Sequence, residues 1–244
     1  DLHSDTHSFP TRRSSDLDLF RVLREKDEED AALQDIREQL QPDLPHTIYT
    51  GKGSPTNIRL SPDGRFITYN LYSRGKRKST QVPHFVHESG YINNQRARPK
   101  VGGDPYSYDL HIYDLKKDTA YSVKTSNIPG ISDKPEFLKE YGTCSDNGEP
   151  RGVKIFGAFW SDNGQHALIS VRSDDNKDRW LMRLDVETGE PALLDRQRDE
   201  AWIAGPGIGR SGWGENLGWM PDNQNIWFQS EETGFSHLYT INIA

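Results

Sequence analysis

A strand–turn–strand pattern recurs three times in the chain and constrains its fold more than any other feature. The turns read S-P-D-G at 61–64, S-D-N-G at 161–164 and M-P-D-N at 220–223. Each turn lies between two apolar runs of strand length. Asp, Asn and Gly adopt the backbone conformations of tight turns at low cost. The pattern therefore predicts three β-hairpins.

Each hairpin is followed by an apolar–polar–apolar strand end. The turn and this strand end are 51, 23 and 20 residues apart, from Asp63 to Asp114, from Asp162 to Asp185, and from Asp222 to Asn242. The second and third copies are therefore compact, and the first carries an insertion of roughly 30 residues within 73–108. Repeated antiparallel units with a turn at each corner are typical of β-propeller blades.

We therefore predict an all-β fold: a partial β-propeller of about two complete four-stranded blades and most of a third, with a short N-terminal helical segment. A sandwich or another all-β arrangement is the alternative. The propeller domain is expected at 46–244, with blades at about 46–126, 150–200 and 212–244.

The helical segment is predicted at 18–45. Leu33, Ile36 and Leu40 have the i, i+3, i+7 spacing of one helix face, and prolines follow. Residues 1–17 show no such periodicity, and 7–17 match the translation of a common sequencing adapter. We expect residues 1–17 to lie outside the fold, with the true amino terminus missing; a natural disordered tail is the alternative.

Composition excludes several classes of protein. The net charge is −7, so the basic excess of a nucleic-acid binder is lacking. No apolar run approaches the ~18–20 residues that a membrane span needs. The single cysteine, Cys144, excludes an internal disulfide and leaves the compartment open. We expect neither a nucleic-acid partner nor a membrane span.

Three sequence patterns resemble ligand sites. G-x-G-x-x-G at 207–212 lacks the strand before it and the helix after it that a dinucleotide site needs, so we interpret it as a blade connector. D-x-N-x-D at 174–178 begins like a calcium loop, but its sixth position is Arg179 instead of glycine, which favours a polar hairpin loop.

His84, His87 and Glu88 are metal-ligand types without a third distant partner, and we expect them on an exposed excursion. The acidic run 27–30 could bind a cation, but the solvated first turn of a helix is favoured. We predict no metal and no cofactor.

Two further motifs carry a family resemblance. R-P-K-V-G at 98–102 follows the insertion, and S-E-E-T-G-F-S-H-L-Y at 230–239 closes the chain. Together with the S-P-D-G blade, they resemble the propeller domain of the dipeptidyl peptidase IV branch of the prolyl oligopeptidase family, over about 54–244.

This resemblance implies the propeller portion of a serine exopeptidase that hydrolyses peptides near their amino terminus. The nucleophile motif G-x-S-x-G is absent from the sequence, so no catalytic residue is predicted, and the α/β-hydrolase domain is expected beyond Ala244. The implied partners are a peptide substrate, that hydrolase domain of the same parent chain, and a second parent chain in a homodimer. Two alternatives remain: a non-enzymatic propeller that serves as a binding scaffold, and a peptide-binding propeller whose hydrolase partner has lost its nucleophile.

The resemblance also suggests substrate-binding residues. The family's paired glutamates, which hold the substrate's ammonium group, have no counterpart in 46–53, and Glu28 and Glu29 lie too far upstream. Glu88, Arg96 and Arg98 are the candidates for lining a substrate channel. An ion pair between Arg98 and Glu88 is the alternative explanation for two of them.

Overall fold

A computed structural model describes most of the chain. The described residues are 12–41, 45–76, 78–100, 102–133, 135–140, 148–203, 208 and 216–244, without the side chains of 12–17 and 139–140. The chain divides into two compact units, Asp1–His46 and Thr47–Ala244.

The first unit contains one helix, α1 (Arg12–Leu40). It begins before Asp18, where the helical segment was predicted, and so continues into the segment that we expected to lie outside the fold. The acidic run 27–30 lies in the middle of α1 instead of its first turn. Neither α1 nor the other described helix is long and apolar enough to cross a membrane.

The second unit is built from β-strands, whose bounds are β1 (Ser54–Leu60), β2 (Phe66–Ser73), β3 (Ser79–His84), β4 (Asn93–Pro99), β5 (Ser107–Asp114), β6 (Thr119–Ser122), β7 (Val153–Trp160), β8 (Ala167–Ser173), β9 (Asp178–Asp185), β10 (Glu190–Arg198), β11 (Leu217–Trp219), β12 (Asn225–Ser230) and β13 (His237–Asn242). A short helix, α2 (Phe137–Glu140), precedes β7.

These strands form three antiparallel blades. Blade 1 has the order β1-β2-β5-β6, blade 2 has β7-β8-β9-β10 and blade 3 has β11-β12-β13. Each predicted turn joins the first two strands of a blade, and Gly64 and Gly164 adopt left-handed φ values of 72° and 71° there. The predicted fold class is confirmed. The insertion of blade 1 forms a separate two-stranded sheet, the β3–β4 hairpin.

Blade 2 is packed between the other two blades. All seven residues of β8 are buried, and they alternate in direction because successive side chains of a strand point to opposite faces. Ala167, Ile169 and Val171 belong to the apolar cluster shared with blade 1, whereas Leu168 belongs to the cluster shared with blade 3.

The segment after blade 1 contributes to the core of the interface between blades 1 and 2. Ile128 and Ile131 are buried in the cluster between blades 1 and 2, beside Val123. The carbonyl of Pro129 also accepts a hydrogen bond from Nε1 of Trp180, at 2.9 Å. This connector therefore closes one side of the interface between blades.

Polar groups join the first strands of neighbouring blades. Asn57 Nδ2 of β1 donates to the Gly157 carbonyl of β7 at 2.8 Å, and Trp219 Nε1 of β11 donates to the Phe159 carbonyl at 3.0 Å. Each of these side chains donates a hydrogen bond to a backbone carbonyl of the neighbouring blade, and this bond fixes the position of one blade against the other.

Candidate functional site

A cleft lies where the β3–β4 hairpin leaves blade 1. Its volume is about 260 Å³, and it is lined by residues from the ends of β2, β3 and β4 and from the approach to β5: Tyr72, Arg74, Gly75, Ser79, Arg96, Pro99 and Tyr106. We call it the hairpin cleft. Its lining combines two guanidinium groups with two phenol rings, which can donate hydrogen bonds and offer flat apolar surface.

The tyrosines form the aromatic wall of the hairpin cleft. The ring centroids of Tyr72 and Tyr106 are 5.6 Å apart at an interplanar angle of 42°. Nζ of Lys154 from blade 2 lies 4.6 Å from the Tyr106 centroid, and Lys154 is ion-paired with Asp174. Burial raises the pKa of Tyr106, and the Asp174 charge raises it further, so the hydroxyl remains a proton donor at neutral pH.

Backbone packing sets the width of this cleft. A Cβ atom added to Gly75 would lie only 2.1 Å from the carbonyl oxygen of Asp104 and 2.5 Å from that of Pro105. No side chain fits there, because real Cβ atoms do not approach backbone oxygens that closely. Glycine therefore allows the segment after β2 to lie against the segment that carries Tyr106.

Of the three predicted substrate-binding residues, Arg96 lies in the hairpin cleft. It is paired with Gln81 across the hairpin, and its Nε donates to Ser79 Oγ at 3.4 Å. Arg98 lies at a bulge, since Ser79 pairs with Pro99 while the next residue of β3 pairs with Ala97. A bulge turns the extra residue out of the regular pattern, and Arg98 does not line the cleft.

Glu88 lies at the opposite end of the hairpin, in the exposed turn between β3 and β4. From Asn93 to Arg98 the strand rises about 17 Å, which separates Glu88 from Arg98. Within the described residues, no ion pair joins these two side chains. A role for Glu88 and Arg98 in binding stays a prediction from the sequence.

A second, acidic cavity of about 370 Å³ lies beside the last strand of blade 2 and the β12–β13 turn. Its lining includes the acidic residues Asp195, Asp199, Glu231 and Glu232, and the exposed Trp202. Arg196 and Arg198 also line it, but their charges are paired with Asp178. The two glutamates belong to the S-E-E-T-G-F-S-H-L-Y motif. Burial raises the pKa of Asp195, and hydrogen bonding from Gln197 opposes this shift. Its carboxylates and exposed indole suit a cationic group.

The sequence did not reveal the buried ionic cluster at the start of β9. The Asp178 carboxylate is fully buried and pairs with Arg151, Arg196 and Arg198, at N–O distances of 2.7, 2.8 and 2.9 Å. The guanidinium carbons of Arg151 and Arg196 also lie 5.6 and 5.7 Å from the Trp180 ring centroid. These groups hold blade 2 to its connector, and Arg196 and Arg198 also line the acidic cavity.

The same cluster explains the D-x-N-x-D pattern. Asp174 pairs with Lys154, Asp175 with Arg151 and Asp178 with three arginines, so the loop's carboxylates are engaged by protein cations. Asn176 has a left-handed φ of 58°, as expected in a hairpin turn.

The other sequence patterns form no ligand site among the residues that the structure describes. The His84 and His87 rings are 6.3 Å apart and edge-on, and the described residues contain no group of three or more metal-ligating side chains. Cys144 and all of 207–212 except Ile208 lie outside the described residues.

Comparison with known proteins gives distant structural similarity only. No family model matches the chain, and no curated protein matches its sequence. Among solved structures it is similar to a Bacteroides ovatus protein described as a dipeptidyl aminopeptidase IV, with 15% identity and a TM-score of 0.49 over 78% of this chain and 24% of that chain. Porphyromonas gingivalis dipeptidyl peptidase 4 gives 15% identity and a TM-score of 0.47 over 75% and 22%.

An oligogalacturonate lyase in complex with manganese gives 12% identity and a TM-score of 0.21, over 85% of this chain and 70% of that chain. The chain thus spans about a quarter of the length of the two peptidase chains. At these identities and scores, the similarity assigns neither activity nor substrate.

Proposed function

We propose that the chain is the peptide-binding, substrate-gating portion of a serine peptidase that hydrolyses peptides near their amino terminus. The observation that carries this proposal is the hairpin cleft, which places Arg96 beside two tyrosine rings at the end of a blade. Guanidinium donors next to flat aromatic surfaces suit the carbonyl groups and side chains of an extended peptide.

The positions of the family-like motifs support the same proposal. The S-P-D-G turn joins β1 to β2, R-P-K-V-G begins at the end of β4 beside the hairpin cleft, and S-E-E-T-G forms the turn from β12 to β13. Each motif thus lies at a corner or at the edge of a cavity, where side chains are available to a ligand.

The acidic cavity favours recognition of a peptide amine. An ammonium ion gains charge-assisted hydrogen bonds from carboxylates, which are stronger than those between neutral groups. Glu231 and Glu232 are exposed at this cavity, and Asp195 lies deeper beside them. Cleavage itself needs a nucleophile, and the sequence contains no G-x-S-x-G, so the chain alone is expected to bind peptides without hydrolysing them.

Isothermal titration of the 244-residue chain with tetra-alanine tests this proposal. The peptide with a free amino terminus is expected to bind, and its N-acetylated form is expected to bind at least about tenfold more weakly, because a charged hydrogen-bond donor is lost. Glu232→Gln should reduce this difference, whereas Glu149→Gln, the same change at an exposed position outside both cavities, should not.

Two outcomes would contradict the proposal. If neither peptide binds, the chain is not a peptide-binding propeller. If both bind equally well, amino-terminal recognition is wrong, and the non-enzymatic scaffold becomes the better interpretation.

A further inference from the structure

The base of the β3–β4 hairpin is strongly basic in an otherwise acidic chain. Segment 73–108 contains seven lysine and arginine residues and two acidic residues, Glu88 and Asp104, while the chain as a whole has a net charge of −7. The basic residues fall in two runs, 74–78 and 96–100. Pairing of Ser79 with Pro99 brings the ends of these runs together.

The guanidinium groups of the hairpin cleft contrast with those of the buried ionic cluster at Asp178. Among the residues that the structure describes, Arg74 and Arg96 make no ion pair, whereas Arg151 and Arg196 both pair with Asp178. Two like charges that line one small cleft repel each other, so an anion between them is favoured electrostatically.

One of these groups is already oriented. The hydrogen bond from Arg96 Nε to Ser79 Oγ holds one edge of the guanidinium plane. The Nη groups remain for a ligand, and their planar geometry matches the two oxygens of a carboxylate. The Ser79 contact therefore reduces the freedom that Arg96 would lose on binding.

The size and walls of the hairpin cleft limit what it can take. Its volume of about 260 Å³ is below the ~300–1,000 Å³ of sites that enclose a whole small ligand, so it fits one terminus or one side chain of a larger one. Tyr72 and Tyr106 form its aromatic wall, and rings of this kind pack against a peptide's aliphatic groups.

We propose that the hairpin cleft binds a carboxylate group of the peptide ligand, with Arg96 and Arg74 as its charged donors. This inference rests on the proposed peptide-binding function and specifies the ligand chemistry of its site. A carboxylate has two sources in a peptide, the carboxyl terminus and an acidic side chain. If the cleft binds the carboxyl terminus, it selects peptides by their length. If it binds an acidic side chain, it selects peptides by their sequence.

Titration of the 244-residue chain with three peptides, each with a free amino terminus, tests the inference. The peptides are tetra-alanine with a free carboxyl terminus, tetra-alanine amide, and Ala-Ala-Glu-Ala amide. The free acid is expected to bind at least tenfold more tightly than tetra-alanine amide. If the glutamate peptide binds as tightly as the free acid, the cleft also accepts the carboxylate of an acidic side chain. If it binds as weakly as tetra-alanine amide, the cleft accepts only the carboxyl terminus.

Arg96→Ala assigns the effect to the cleft. It should weaken binding of the free acid about tenfold and leave tetra-alanine amide unchanged. Arg96→Lys keeps the charge without the planar fork, so it should recover only part of the affinity. Arg98→Ala removes the same charge at the adjacent bulge and should cost less than Arg96→Ala.

The failures of the two proposals are distinguishable. If acid and amide peptides bind equally well, carboxylate recognition is wrong while peptide binding stands. If Arg96→Ala and Arg98→Ala weaken binding equally, a diffuse basic surface rather than the cleft attracts the ligand, and the inference is overturned. Binding of none of the peptides contradicts the proposed function itself.

Discussion

The two faces of blade 2 are made by the same strands but packed in different ways. The face toward blade 1 is apolar, with Trp180 and Met182 fully buried in a large cluster. The face toward blade 3 mixes Leu181 with two arginines that cross the interface: Arg179 donates to the Gln229 carbonyl at 3.1 Å, and Arg183 to the Ile243 carbonyl at 3.0 Å.

This difference shows that one blade can present mainly apolar side chains on one face and a mixture of apolar side chains and guanidinium groups on the other. Burial of apolar surface is favourable and has little directional preference. A buried guanidinium must instead find acceptors at defined positions, and it costs free energy wherever one is missing. We therefore expect substitutions on the blade 1 face to have the larger effects.

The largest effect is expected for Trp180→Ala. The indole is fully buried, donates to the Pro129 carbonyl and contacts two guanidinium groups. Its removal should lower the free energy of unfolding by about 3–5 kcal/mol, through lost burial and the cavity left behind. Urea unfolding followed by far-UV circular dichroism measures this. Trp202→Ala, at a side chain that is 59% exposed, is the control and should cost less than about 1 kcal/mol.

Asp178→Asn is expected to be the next most damaging change. It removes a fully buried charge that is shared by three arginines, at the edge of the blade 1 face. Each arginine keeps a more exposed carboxylate, Asp175, Asp133 or Glu200, but loses the buried one. This loss should cost about 3 kcal/mol in the same unfolding experiment. The identical change at Asp162, an exposed turn residue, is expected to stay within about 0.5 kcal/mol. Equal losses at both sites would show that the cluster contributes nothing specific.

On the blade 3 face, Arg179→Met should cost about 2 kcal/mol, less than Trp180→Ala. The methionine fills much of the space, but the Gln197 side-chain oxygen and the Gln229 carbonyl lose a donor. Arg179→Lys should restore only part of this loss, because an ammonium cannot reproduce the guanidinium geometry. A loss from Arg179→Met as large as that from Trp180→Ala would remove the distinction between the two faces.

The smallest effect concerns pH. Burial raises the pKa of Asp195 above its unfolded value of 3.8. The folded state therefore binds the proton of Asp195 more tightly than the unfolded state does. The resulting contribution to the free energy of unfolding is fully present below pH 3.8 and is lost as the pH rises through the folded pKa. Asp195→Asn should raise the melting temperature relative to the original chain at pH 7 and leave it unchanged at pH 3. A lower melting temperature at pH 7 would contradict this sign.

Local chemistry made the blade corners predictable from the sequence. Gly64 and Gly164 adopt the left-handed conformation that the turn motifs require, and Asn223 takes the corresponding place in the third turn, at a φ of 55°. The position of the hairpin insertion followed from the spacing of the repeats. These features depend on residues that are close in the sequence.

The candidate site was only partly predictable. Arg96, which the sequence suggested as a binding residue, lines the hairpin cleft, and its role in binding stays a prediction. The bulge that separates it from Arg98 depends on the pairing of β3 with β4. Tyr72 and Tyr106 were missed because they lie on either side of the β3–β4 hairpin, 34 residues apart in the sequence. Asp178 was assigned to a polar loop, since nothing local shows that three arginines surround it.

The sequence alone determined the period-2 strands, the turns between them and the three repeats of the hairpin, because these follow from residue conformational preferences and alternating hydrophobicity. Only the tertiary structure decided which charges are buried together and which remain available to a ligand. That outcome depends on side chains distant in sequence meeting at one point, as Arg151 and Arg196 do at Asp178, whereas Arg96 makes no ion pair among the described residues.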